Sequence, residues 1–109
     1  MTSLILSSIL LANLITPQVP VWDISEVLEN LSWCESSNRQ YIIRKDDGIG
    51  DSHGYLQFKL ETFDHFGKRY GLPHDDIFSK EQQFAIAREM LVERRFSHWR
   101  VCSKKLGLI

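Results

Sequence analysis

Apolar residues recur at helical spacing from Ile24 onwards. Ile24, Val27, Leu28 and Leu31 share one face, with Glu26 and Glu29 on the other. The pattern predicts a helix running to about Cys34 or Glu35, capped by Asp23 or Ser25. Trp33 and Cys34 prolong the apolar stripe, so Glu35 is expected at its end, beside the core. Ser36 to Ser52 is polar apart from the β-prone run Tyr41-Ile42-Ile43. Asp47-Gly48 is a hairpin signal, and Gly50-Asp51-Ser52 is a second turn. His53-Gly54-Tyr55-Leu56-Gln57-Phe58 reads as a returning strand or a tight extended segment. A small β-hairpin or three short strands are expected here. Gly54 suggests a close approach of backbone to another surface, a ligand included.

Beyond this region the period returns to that of a helix. Leu60 to Tyr70 carries Phe63 and Phe66 at helical spacing, with Thr62 as an alternative cap and Gly71-Leu72-Pro73 as the stop. Gly67 weakens this helix. Phe63, Phe66 and Tyr70 read as core. His74 to Phe78 is a loop. Ser79-Lys80-Glu81-Gln82 has the form of a reciprocal capping box, and a helix is predicted from Lys80 to about Arg95. Its apolar stripe is Phe84, Ala87 and Leu91, widened by Ile86 and Met90. A short helix restarts at Ser97 or His98, with Trp99, Val101 and Cys102 expected to face inward. Arg94, Arg95, Arg100, Lys104 and Lys105 make a basic patch, read first as a solvated face and second as a surface for anionic wall polymers or lipid headgroups.

The first 22 residues carry no charged side chain. Leu4 to Ile15 has the length of a signal-peptide core and is short for a membrane span. Pro17 and Pro20 follow it. No Lys or Arg precedes this core and no Ala-x-Ala site follows it. Residues 1–21 are therefore expected to be a signal peptide or membrane anchor, against a segment that packs on the domain or a misplaced start codon. Residues 22–109 suffice for one domain. A hydrophobic content of 43% and a charged content of 25% exclude a disordered chain. The formal net charge of -1 lacks the basic footprint of a nucleic-acid binder and suits a neutral or weakly charged ligand such as a glycan. The two cysteines, Cys34 and Cys102, admit one bridge, worth roughly 4 kcal/mol in the chain-entropy model and requiring an oxidising compartment. The alternative is two reduced thiols. No Cys-x-x-Cys and no His-rich cluster occurs. His53, His65, His74 and His98 are scattered, so a zinc site is not expected.

Glu35 is the candidate catalytic residue. A carboxyl flanked by apolar bulk at the buried end of a helix loses solvation, keeps its proton near neutral pH and can act as a general acid. The plain alternative is a solvated surface carboxylate. Four pieces in order change the weighting: Cys34-Glu35-Ser36, then Gly54-x-Leu56-Gln57-Phe58 about twenty residues on, Glu81-Gln82-Gln83 opening a long helix, and the closing Trp99-x-Val101-Cys102. Together they resemble the lysozyme-like superfamily, and most closely the lytic transglycosylases and the catalytic domain of resuscitation-promoting factors. The likeness covers roughly residues 22–105. It implies a mainly α (α+β) fold, helices around a cleft with a small β element. It implies Glu35 as the acid, a Cys34–Cys102 bridge, and a substrate-binding wall of Ser36, Gly54, Tyr55, Leu56, Gln57 and Phe58, with Gln57 offering hydrogen bonds and Tyr55 a sugar-stacking surface. The Ala-Tyr-Asn motif of many lytic transglycosylases is absent, and Ser37 and Asn38 replace the usual glycines after Glu-Ser.

The implied partner is the glycan strand of peptidoglycan, cut by a secreted or envelope-associated monomer. Glycoside cleavage ordinarily uses two carboxylates. Only Asp46, Asp47 and Asp51 lie near in sequence, and Asp46 and Asp47 read as turn residues. The missing partner favours lytic transglycosylation, in which one Glu serves as acid and then base, the product carries a 1,6-anhydro end, and the implied chemistry needs no metal or organic cofactor. A muramidase or phage-type lysin, and an inactive wall-binding module, are the alternatives.

Overall fold

A computed structural model describes residues 23–45 and 50–109. The expected leader at residues 1–21 and the hairpin signal at Asp47-Gly48 lie outside them. Helix α1 spans Ile24–Ser36. Asp23 caps it, its Oδ1 accepting from the N–H groups of Ser25 and Glu26 at 3.1 and 3.3 Å. Leu28 and Leu31 are fully buried. Trp33 does not extend their stripe. Two residues beyond Leu31 is a rotation of about 200°, and the indole is 61% exposed. Ser37 and Asn38 both take positive φ, 55° and 58°. Glycine adopts that region without steric cost. Here the Asn38 Oδ1 accepts from the Ser32 hydroxyl at 2.8 Å and helps hold the turn.

Three two-residue strands follow: β1 (Ile43–Arg44), β2 (Ser52–His53) and β3 (Phe58–Lys59). They pair antiparallel in that order, with Ile43 opposite His53 and His53 opposite Phe58. The run from His53 to Phe58 is thus not one strand but a tight β2–β3 connection. Gly54 and Gln57 have φ of 69° and 53°, and the Gln57 N–H bonds the Gly54 carbonyl at 3.1 Å.

Helix α2 spans Leu60–Tyr70 and α3 spans Lys80–Val92. Lys59 occupies the N-cap of α2 without a side-chain bond, which leaves Thr62 inside the first turn. At α3 the Ser79 Oγ accepts from the Gln82 N–H at 3.2 Å. The box is not reciprocal. Gln82 turns to the preceding loop, accepting from Asp76 N–H at 2.9 Å and donating to Asp75 Oδ1 at 2.6 Å. Helix α3 stops before Arg95 because Arg94 has φ 61°, and the Arg95 N–H closes on the Met90 carbonyl at 2.9 Å. A 3-10 turn (Ser97–Trp99) leads into α4 (Arg100–Lys105). Trp99 and Cys102 face inward as expected; Val101 does not, being 67% exposed. The mainly α (α+β) architecture agrees with the expectation.

Leu56 lies at the centre of the core and is fully buried. The backbone of this turn cannot be satisfied by strands of two residues, so side chains do it. The Leu56 N–H donates to Gln83 Oε1 at 2.8 Å, and its carbonyl accepts from Trp99 Nε1 at 2.9 Å. Gln83 is itself fully buried, its Nε2 donating to the carbonyls of His53 (2.9 Å) and Ile77 (2.5 Å). Phe58 packs edge-on against both Phe63 and Trp99, centroids 5.6 Å apart. The Cys34–Cys102 disulfide joins α1 to α4, with Cα atoms 5.9 Å apart.

Two stability outcomes are expected. Gln83→Leu keeps the volume but strands a buried N–H and two carbonyls; urea denaturation should show a loss of about 3 kcal/mol. Reducing the disulfide should cost roughly 4 kcal/mol by the same measurement.

Candidate active site

Glu35 occupies the last turn of α1 and lines a cleft of about 680 Å³. The opposite boundaries come from Arg44 and Lys45 on and after β1, Ser52 on β2, Gln57 and Lys59 at β3, and Thr62 and Phe66 of α2. Met90, Arg95, Ser97 and His98 complete the lining. Burial raises the Glu35 carboxyl from 4.5 to about 7, against the opposing charges of Arg44 and Lys105. The group therefore holds its proton at neutral pH to a substantial extent, as a general acid must. Among the described residues, Glu35 is the one acidic side chain lining this cleft. Asp51 does not line it and pairs with Lys45 at 3.3 Å. Asp46 and Asp47 lie outside the described residues.

Of the run expected to form the wall, Gln57 alone reaches the cleft. Its backbone sits at φ 53°, and its Nε2 donates to the Gly54 carbonyl at 2.9 Å. This fixes the amide and leaves Oε1 buried without a partner. Leu56 and Phe58 are fully buried and back the wall instead of forming its surface. Ser36 is likewise buried, and its hydroxyl bonds the Tyr55 carbonyl at 2.7 Å, tying the residue after Glu35 to the turn. Tyr55 points to α3, edge-on to Phe84 at 6.3 Å and beneath Lys80 at 5.5 Å, so its ring is not presented in this cleft. The close approach at Gly54 is to protein: a Cβ there would lie 2.9 Å from both the Gln40 carbonyl oxygen and Gln83 Nε2.

Most of the other lining groups escaped the sequence reading, and two of them matter most. His98, placed among the scattered histidines, stacks on Phe58 with centroids 4.9 Å apart. Burial pushes its pKa down to about 4, so the ring is neutral, and its Nε2 is buried without a partner. An unpaired buried polar atom is costly, and this lining holds two, Gln57 Oε1 and His98 Nε2. The second is Arg95, read as part of a solvated patch. It lies over the Phe66 ring at 5.3 Å and bonds Glu93 at 2.9 Å. Glu93 also accepts from the Tyr70 hydroxyl and from Arg69 at 3.5 Å, and the Tyr70 and Arg95 bonds pull its carboxyl down to about 2. No local pattern connects residues 66, 70, 93 and 95; only the packing of α2 against the end of α3 does.

Comparison with known proteins adds one relative. Over 80 residues the chain is 31% identical to resuscitation-promoting factor Rpf1 of Corynebacterium glutamicum. The matched stretch is 73% of this chain and 39% of that protein, so the chain spans well under half the length of its relative. No family model matches the chain, and no solved structure matches it. The similarity is to one of the two groups that the Cys34-Glu35-Ser36 and Gly54-x-Leu56-Gln57-Phe58 motifs resemble.

The raised Glu35 pKa sets a pH dependence. The folded chain binds this proton up to about pH 7, the unfolded chain only up to 4.5. Stability is therefore lost as pH rises through that window. Glu35→Gln should match the wild type near pH 4 and exceed it by about 1 kcal/mol at pH 8, after discounting for exposure to the cleft. Paired thermal melts at the two pH values check this, and His98 cancels in the comparison.

Proposed function

We propose that this protein cleaves the β-1,4 bond between N-acetylmuramic acid and N-acetylglucosamine in peptidoglycan, with Glu35 as its single acid and base. The observation that carries the reading is one sheltered carboxyl, held near pKa 7, in a cleft without a second acidic lining residue among those described. Hydrolysis by paired carboxylates needs the second group on the far side of the sugar or beside it. A lone acid is sufficient when the substrate supplies its own nucleophile. In the proposed reaction Glu35 donates its proton to the glycosidic oxygen as the C1–O bond breaks. The C6 hydroxyl of the muramic acid then attacks C1 and returns its proton to Glu35, leaving a 1,6-anhydro end. The substrate's acetamido group can spread the positive charge that develops at C1.

Gln57 and His98 line the cleft with Glu35 and bound the space the sugar would occupy. The disulfide favours action outside the cytoplasm. Among the described residues no helix is long and apolar enough to cross a membrane. The partner in this reading is the glycan strand, engaged by a monomer. The likeness to Rpf1 supports a wall-directed role and leaves the product chemistry to experiment.

Purified sacculi incubated with the full chain should release anhydro-ended muropeptides, one water lighter in mass spectrometry than hydrolysed ones. Reducing ends would transfer the assignment to a muramidase. Binding without any product would make the protein a wall-binding module. Glu35→Gln should lower the rate at least about 100-fold, and the wild-type rate should fall as pH rises through about 7, where Glu35 loses its proton.

A further inference from the structure

The basic run from Arg94 onwards divides in the structure. Between Arg94 and Ile109 the sequence holds five cations and no acidic side chain. Arg95 turns to the cleft and is held by Glu93. Arg100, Lys104 and Lys105 do not. They lie on α4 and are exposed. At about 100° of rotation per residue they fall with Val101 inside one arc of about 140°. Cys102 and Ser103, both buried, occupy the opposite side. The outer face of α4 is therefore three cations around an exposed valine.

Neither pairing nor helix stability accounts for this face. Lys45, Arg69, Lys80 and Arg95 each pair with a carboxylate. Among the described residues no hydrogen bond or ion pair engages the side chains of Arg100, Lys104 or Lys105. Lys104 and Lys105, in the last turn, suit the negative end of the helix dipole. Arg100 stands at the positive end, with no acidic residue in the first turn. Val101 is exposed at the centre of the arc, and Leu106 and Ile109 expose further apolar surface just beyond the helix.

The charge calls for an anionic partner, and the apolar side chains decide which. A phosphate polymer gives Val101, Leu106 and Ile109 nothing to bury against. An anionic leaflet takes cations at its headgroups and apolar side chains at the acyl boundary. The uncharged apolar run of residues 4–15 is a second lipid-seeking stretch in the same sequence, and stable attachment takes two such signals.

We propose that the outer face of α4, made of Arg100, Val101, Lys104 and Lys105, seats the domain on an anionic lipid surface. Lys105 is close enough to act electrostatically on Glu35, so a domain seated this way holds its cleft beside the leaflet. The seating is separate from the chemistry of the cleft.

Co-sedimentation of the full chain with lipid vesicles tests this. The probes are vesicles of phosphatidylcholine alone, vesicles in which about a third of the lipid is phosphatidylglycerol, and soluble poly(glycerol phosphate) as the rival polyanion. At low salt the chain should bind the anionic vesicles on the order of 100-fold more tightly than the neutral ones, from about fivefold per basic residue. Salt at about 0.5 M should remove most of the difference. The triple variant Arg100→Gln, Lys104→Gln, Lys105→Gln should bind both vesicles alike. Its thermal melt should match that of the wild type, because the three side chains hold no partner. Removing three cations elsewhere, with Lys68→Gln, Lys80→Gln and Arg88→Gln, should weaken binding less than about threefold, which separates this face from net charge. Equal binding to both vesicles, no binding to either, a preference that survives in the triple variant, or an equal loss in the second variant overturns the proposal. So does binding of poly(glycerol phosphate) without binding of anionic vesicles, which would give the face to a wall polymer. None of these outcomes depends on whether Glu35 cleaves glycan.

Discussion

The two polar groups of one buried peptide unit position everything else at the site. Leu56 sits in the core where no neighbouring strand can reach its backbone, and an unmade hydrogen bond there would be costly. Gln83 takes its N–H and Trp99 takes its carbonyl. Those two side chains come from α3 and from the 3-10 turn after it, both far along the chain from Leu56. Ser36, from the end of α1, bonds the adjacent Tyr55 carbonyl. Three separate elements thus hold one turn. With Leu56 pinned inward, the next residue must turn out, and the left-handed backbone at Gln57 delivers its amide to the cleft. The sheet has strands of only two residues, so its geometry follows from these side-chain bonds more than from its own ladder.

The same economy of positions governs the electrostatics. Glu35 lies between Cys34, whose disulfide reaches α4, and Ser36, whose hydroxyl reaches the turn. Burial raises its pKa while Arg44 and Lys105 oppose the rise. Without the burial, the nearby cations would leave an ionised carboxylate unable to donate. Without the cations, the carboxyl would be a still weaker acid, and slower to regain an ionised form that can serve as base. A value near 7 is the balance that suits a group asked to do both.

Most of the helices were legible because their periodicity and caps are local. Asp23, Ser79 and Gly71 mark real helix ends, and Leu28, Leu31, Ile86 and Met90 are core positions in the structure. That Glu35 ends its helix beside the core was legible from spacing, whereas a cleft around it was implied only by the family likeness that the Gly54-x-Leu56-Gln57-Phe58 run helps to carry. What was not legible depends on tertiary packing. Tyr55 and Gln57 are two residues apart in one motif, yet one packs on α3 and the other faces the cleft, a consequence of the tight turn between β2 and β3. Trp33 and Val101 are apolar residues in the expected stripes, and the helical rotation carries both to the surface. Arg95 and His98 enter the cleft only because α3 ends early at Arg94, whose positive φ no composition rule would assign to an arginine.

The glycine within α2 bears on how this chain can vary. A Cβ at Gly67 would stand 2.4 Å from the Cβ of His74, so no other amino acid fits without displacing the loop that follows the helix. That loop carries the Ile77 carbonyl on which Gln83 rests, and Gln83 in turn holds Leu56. Position 67 is therefore closed to substitution although it lies outside the cleft lining. An invariant glycine there among relatives would mark a steric bottleneck and not a point of chemistry.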